Sequence, residues 1–266
     1  MRRDIIVFDI ETIIDAHAAR RLLRQEQLSD SEARDALTDY FLEKTAGRND
    51  FPRQPFHQVV AISYGHLIRE PGEQGQELVI RQLASGGDKN SGEKELLEGF
   101  FHLIDTRAPQ LVSFNGRGFD IPVLKYRAMS HGLSCPRWFK EGDKWNNYDA
   151  RHSDYHCDLL ELFSDFGASA RCSMDEVAAV FNIPGKLATD GSAVRTMFES
   201  KQLDAIRNYC ETDVLTTMLL FLRQQLFCGA LSNGACERAT LGIRHYLEGE
   251  CENRPHLAEY LQAWET

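Results

Sequence analysis

The apolar run Ile5–Phe8, set within Asp4–Thr12, predicts a first, central strand over residues 4–10. Residues 14–50 change character: Ala, Leu, Arg, Glu and Asp dominate, with no glycine before Gly47, which predicts one or two surface helices. After Pro52 and Pro55, the β-branched stretch Val59–His66 and the stretch Glu77–Leu83 predict two further strands. A Pro-Gly turn near residue 71 joins them, so the first three strands form an antiparallel meander. A helix is expected over Gly92–Asp105, a short strand over Leu111–Phe114 and a helix over Ile121–His131. Gly132–His156 shows no regular pattern and is expected as a surface loop; Cys157–Phe163 fits either a last strand or a short helix. From Ser173 the chain reads as helical. The capping-box pattern Ser173–Glu176 opens a helix to about Asn182, followed by Ser192–Ser200, Leu203–Phe227 and short terminal helices over residues 234–266. No repeat or low-complexity linker interrupts this order. A single domain over residues 1–266 is expected, with a helical insertion at 14–56 and a helical tail at 228–266.

Composition narrows the function. The chain has 266 residues and a net charge of −10, the wrong sign for a protein that coats duplex DNA. A nucleic-acid substrate would then be held by a local basic spot, by metals or at a chain end. Seven cysteines without a C-x-x-C pair argue against a zinc site or a disulfide framework and for a reducing cytoplasm. The N-terminal apolar run is too short and too acidic for a signal peptide, and no stretch approaches membrane-spanning length, so no membrane partner is expected.

Candidate chemistry begins with Asp9 and Glu11. Along a strand alternate side chains share a face, so both carboxylates emerge on the same side. Such a pair repels unless a cation lies between, which suggests half of a site for a hard divalent metal. Asn115 and Asp120 follow a later strand, and Asp120 also suits a plain helix N-cap. Tyr209 and Asp213 share one face of a late helix. Other features read as ordinary. Gly87–Lys94 nearly matches a phosphate-cradling loop, but Glu93 stands where lysine is needed. His152 and His156 lie in the expected loop, and Asp165-Phe166-Gly167 has no kinase-like company. Arg20, Arg21 and Arg24 form either a solvated helix face or a flap that touches phosphates.

Taken in order, Phe8-Asp9-Ile10-Glu11-Thr12, Asn115-x4-Asp120 and Tyr209-x3-Asp213 resemble the three exonuclease motifs of the DEDD superfamily, in its tyrosine (DEDDy) branch. The stretches around His57–Ser63, Pro184–Lys186 and Tyr209–Leu215 resemble predicted stand-alone exonucleases related to the proofreading domain of family B DNA polymerases. This likeness runs over about residues 4–225, and the insertion at 14–56 departs from it.

The resemblance implies an α/β, ribonuclease H-like fold: a mixed five-stranded sheet flanked by helices. It implies two divalent ions, Mg²⁺ or Mn²⁺, held by Asp9, Glu11, Asp120 and Asp213, with Asp9 bridging both. Tyr209 would orient the attacking water, since a phenol of ordinary pKa, about 10, is a poor base at neutral pH. Asp158 is a further acid able to approach the site. Thr12 and Asn115 would bind near the terminal sugar and phosphate, Phe119 would stack on a base, and Lys186 would contact a phosphate. The expected activity is 3′→5′ hydrolysis of single-stranded DNA ends, releasing nucleoside 5′-monophosphates. The alternatives are a 3′→5′ exoribonuclease, or a non-catalytic binding module on the same fold, which would be expected to have lost some of the acids.

Overall fold

Ile5, Ile6, Val7 and Phe8 are all buried, so the first strand is covered on both faces and must lie inside the sheet. The structure, a computed structural model, describes residues 4–72, 75–88, 90–185 and 193–265. Strand β1 (Asp4–Ile14) pairs antiparallel with β2 (His57–Gly72), which returns through a hairpin as β3 (Gly75–Ser85). On its other side β1 runs parallel to β4 (Gln110–Ser113), and β4 runs parallel to β5 (His156–Asp158). The sheet order β3-β2-β1-β4-β5 is the mixed five-stranded, ribonuclease H-like arrangement expected from the sequence.

Helices α1 (Ala16–Leu23) and α2 (Asp30–Lys44) form the insertion; α3 (Glu93–Arg107), α4 (Asp120–Ser130) and α5 (Pro136–Lys140) follow. Beyond β5 come α6 (Leu159–Phe163), α7 (Met174–Phe181), α8 (Ala193–Glu199), α9 (Leu203–Phe227), α10 (Asn233–Glu250) and α11 (Pro255–Glu265). The alternation of β1 assigns its two faces. Ile6, Phe8 and Ile10 pack on α3 and α4 through Leu97, Phe100 and Leu124. Ile5 and Val7 pack on α9 and α10 through Val214, Met218 and Ile243. Helix α9 approaches β2 so closely that a Cβ on Gly65 would lie 2.1 Å from Met218 Cε.

Four expectations are corrected. Strand β1 runs on to Ile14 instead of ending near residue 10, because β2 continues to pair with it as far as His57. Asp9 and Glu11 therefore both sit within the strand. Residues 132–156 are irregular outside α5 and largely at the surface, as expected, but they are not surface alone: Trp138 and Tyr148 are fully buried and stack 4.8 Å apart, and Tyr148 Oη donates to the Pro109 carbonyl at 2.7 Å. Aromatic packing anchors the stretch at Trp138, on α5, and at Tyr148, contacts that periodicity does not register. His156 is likewise buried, opening β5 with Nε2 2.7 Å from Ser113 Oγ. The terminal helices are not all short, since α10 covers 18 residues.

The insertion has its own small core of Ala16, Ala19, Ala33, Leu37 and Phe41. Buried Arg34 fastens it to the body, donating to the Ile14 carbonyl at 3.1 Å and to Glu199 at 3.0 Å. Arg20 is used locally, on the Leu28 carbonyl and the Asp30 carboxylate.

Candidate active site

Asp9 and Glu11 point from β1 toward α9, where Cys210 meets them. Ligating atoms of Asp9, Glu11 and Cys210 all lie within 4.8 Å of one another. The Cys210 thiol donates to the Asp9 carbonyl at 3.4 Å and to Asp9 Oδ2 at 3.5 Å. A bulge places Val60 of β2 opposite the Glu11–Thr12 step, which re-aims the side chains beyond it.

Asp213 lies three residues after Cys210 on α9, hence on the same helix face. It is 3 % exposed, and its charge acts on the Cys210 thiol together with those of Asp9 and Glu11. Burial and these three carboxylates hold the Cys210 pKa well above the ordinary thiol range. Tyr209, one turn before Asp213, packs with Ile13, Ala61 and Ile206.

Asp120 reaches the same strand from the other side. The parallel ladder between β1 and β4 ends at Val7–Val112, leaving the edge of β1 open above it. There the carboxylate of Asp120, at the start of α4, accepts the backbone N–H of Ile10, the residue between the two acids. Burial, together with the charge of Asp158, pushes the Asp120 pKa up to about 7 against that bond. Asp158 is itself committed to backbone, accepting from Asn115 N at 2.9 Å, Arg117 N at 2.8 Å and Leu160 N at 3.0 Å. It shapes the Asn115–Phe119 turn, in which Asn115 adopts φ +67° and a Cβ on Gly116 would strike Ser113 Oγ at 2.2 Å.

A groove of about 370 Å³ opens beside Glu11, lined by Thr12, Thr38, Phe51, His57, Phe119 and Arg195 among others. Phe51, His57 and Phe119 form an aromatic cluster with ring centroids 4.8–5.7 Å apart. His57 Nε2 lies 2.9 Å from the Pro52 carbonyl, which can only accept, so this nitrogen carries the proton. Burial lowers the His57 pKa and keeps the ring neutral. Nδ1 therefore accepts from Thr12 Oγ1 at 3.1 Å, and the Thr12 oxygen presents lone pairs rather than a proton.

The structure thus brings Asp9, Glu11, Asp120, Tyr209 and Asp213 to one stretch of β1. Asp120 and Asp213 stand outside the 4.8 Å cluster itself. Thr12, Asn115 and Phe119 lie around the same edge, whereas Lys186 falls outside the described residues. Cys210, Phe51 and His57 went unnoticed in the sequence. Only Cys210 had a local signal, its spacing of three from Asp213.

The donor set suits a hard divalent cation. Within the cluster Asp9 and Glu11 offer oxygen, Asp213 acts on it from α9, and the one sulfur is held as a protonated thiol, a poor metal ligand.

A solved structure of the family B DNA polymerase from the hyperthermophilic archaeon Pyrobaculum calidifontis is similar, with a TM-score of 0.47 and 18% identity. The match covers 85% of this chain and 25% of the polymerase, so this chain spans about a quarter of that protein. No curated protein matches the sequence. A family model matches residues 49–264, most of the chain, though Asp9 and Glu11 precede the matched segment. The chain belongs to the family of predicted 3′-5′ exonucleases related to the exonuclease domain of PolB.

Proposed function

We propose that this exonuclease removes nucleotides from the 3′ end of single-stranded DNA with the help of two divalent ions, Mg²⁺ or Mn²⁺. The observation that supports the reading is the Asp9–Glu11 pair on β1 against α9, with Asp213 of α9 acting on the same Cys210 thiol and Asp120 of α4 bonded to the N–H of Ile10 between the pair. Asp9, Glu11, Asp120 and Asp213 would hold the cations. When bound, the ions supply positive charge to the scissile phosphate and acidify the attacking water. Burial raises the Asp120 pKa, and a bound cation would act against that shift by favouring the carboxylate.

The remaining residues position the substrate. Thr12, its hydroxyl proton given to His57, accepts from a sugar hydroxyl of the terminal nucleotide. Phe51 and Phe119 offer ring faces to the last base, an interaction indifferent to base identity. Asn115 sits at the turn above β4, near the terminal phosphate. Tyr209, packed against Ile13, aligns the water. The insertion supplies Thr38 and Phe51 to the groove wall. Lys186 remains a proposed phosphate contact. The whole chain acts as one domain built on this sheet, and its seven free cysteines suit a reducing cytoplasm.

The test uses matched DNA and RNA oligonucleotides, labelled at the 3′ or the 5′ end, with added Mg²⁺ or Mn²⁺ and with chelator. Early release of the 3′ label as a mononucleotide, from DNA faster than from RNA and abolished by chelator, is the expected result. Faster loss from RNA would convert the proposal to an exoribonuclease; no release from either, with the metal bound, would leave a binding module.

A further inference from the structure

Arg69 is a buried cation far from the acid cluster. It lies six residues along β2 from Ser63, the ladder partner of Asp9, which at ~3.3 Å per residue is about 20 Å away. Its side chain points to the α9 face of the sheet, and the residue is 6% exposed. Nη2 donates to Gln225 Oε1 at 3.3 Å. Among the described residues, Nε and Nη1 meet no acceptor. No carboxylate of the described residues pairs with the guanidinium, and burial depresses its pKa. A buried charge without a counterion is costly, and native structures supply a partner.

The guanidinium lines a pocket of about 340 Å³ between the C-terminal end of α9 and the start of β5, shared with Gln224, Gln225, Arg151 and His156. That volume is in the range of small-molecule sites. His156 Nδ1 is a second buried polar atom there with no partner among the described residues. Three carboxylates also line the pocket, each with a partner of its own, although Glu161 Oε2 makes no hydrogen bond among the described residues. Asp158 holds backbone N–H groups, Glu161 pairs with Arg117 and Arg151, and Asp154 accepts from Asn146 Nδ2 at 3.3 Å.

We propose that this pocket is a second ligand site that takes a phosphoryl group, from free phosphate or from a nucleoside monophosphate. Arginine is the cation best matched to phosphate, since its planar guanidinium offers several donors at fixed angles. A phosphate oxygen would satisfy the donors that Gln225 leaves unused and would neutralise the buried charge. The site stands whether or not the acids of β1 cleave nucleic acid.

Thermal-shift titrations of the full chain, carrying Glu11→Gln and held in chelator to silence the acid cluster, test this with inorganic phosphate and with a nucleoside 5′-monophosphate. The melting temperature should rise by several degrees with ligand. Arg69→Met in the same background should melt no lower in phosphate-free buffer, having lost an unpaired buried charge, and should show no ligand-dependent rise. Equal responses to the two ligands identify the phosphoryl group alone as the recognised part; a larger response to the nucleotide adds the nucleoside to the site. Should Arg69→Met fail to fold, Arg69→Lys and the broadening of the phosphate ³¹P resonance replace it, with less broadening expected than in the parent. An identical response in parent and variant, or no response of the parent to either ligand at millimolar concentration, overturns the proposal.

Discussion

The Cys210 thiol on α9 stands 3.5 Å from Asp9 Oδ2 on β1, although 201 residues separate the two in the chain. The sulfur acts there as a hydrogen-bond donor, because burial and the surrounding carboxylates keep its proton in place. Cys210→Ser preserves a donor and should lose no more than about tenfold in hydrolysis. Asp9→Asn should abolish it while remaining folded by circular dichroism. Nucleotide release measured for both variants checks the pair; comparable losses would give the sulfur the role assigned to the carboxylate.

The aromatic cluster makes a separable prediction. Phe51 is 55% exposed beside Phe119. Stacking of a base on one ring is worth roughly 1–3 kcal/mol, so Phe51→Ala or Phe119→Ala should raise KM by about 5- to 150-fold. The effect on kcat should be small, and it should be alike for all four terminal bases. Steady-state kinetics on short single strands would reject the stacking role if KM stayed at its original value in both variants.

Arg127 ties α4, which carries Asp120, to α3 and to Asp15, the residue that follows the strand carrying Glu11. Its guanidinium donates to Asp15 at 2.7 Å and to both oxygens of Glu93 at 2.7 and 2.6 Å, all buried. Glu93 in turn accepts from Val59 N at 2.7 Å. Arg127→Met strands two buried carboxylates and should cost about 3–5 kcal/mol in urea unfolding. Adding Glu93→Leu should recover part of that loss, because one unpaired charge is then removed. No recovery in the double variant would mean that Arg127 acts through packing alone.

Acid titration should reveal His57. Its folded pKa lies below the usual 6.5, so the unfolded chain binds this proton first as pH falls. The contribution of neutral His57 to stability is therefore complete above pH 6.5. It declines as pH falls below that value, and the decline stops once the folded histidine also protonates. The slope from this one group is at most about 1.4 kcal/mol per pH unit. Urea midpoints between pH 7 and pH 5 should fall less steeply for His57→Gln than for the parent. Parallel slopes would show that folding leaves the His57 pKa unshifted.

The element order, the central place of the first strand and the three acidic motifs could all be read from residues 4–14, 115–120 and 209–213. These are local facts: β-branched and apolar runs name strands, alternation puts Asp9 and Glu11 on one face, and helical spacing puts Tyr209 with Asp213. The extent of β1 could not be read, because its last residues are strand only through their pairing with β2. The burial of Trp138 and Tyr148 was hidden for the same kind of reason, since they make their contacts with each other and with α3.

What the linear chain determined by itself was therefore chemistry, which acids are present and which pairs share a face. Tertiary structure alone decided their company. It set Cys210 against Asp9, gave Asp120 the N–H of Ile10, brought Phe51 from the insertion to Phe119, and left Arg69 buried without a carboxylate partner among the described residues. Each of these joins segments far apart in sequence, and no propensity or period carries information across such a distance. Only the packing of helices on the two faces of one sheet fixes them.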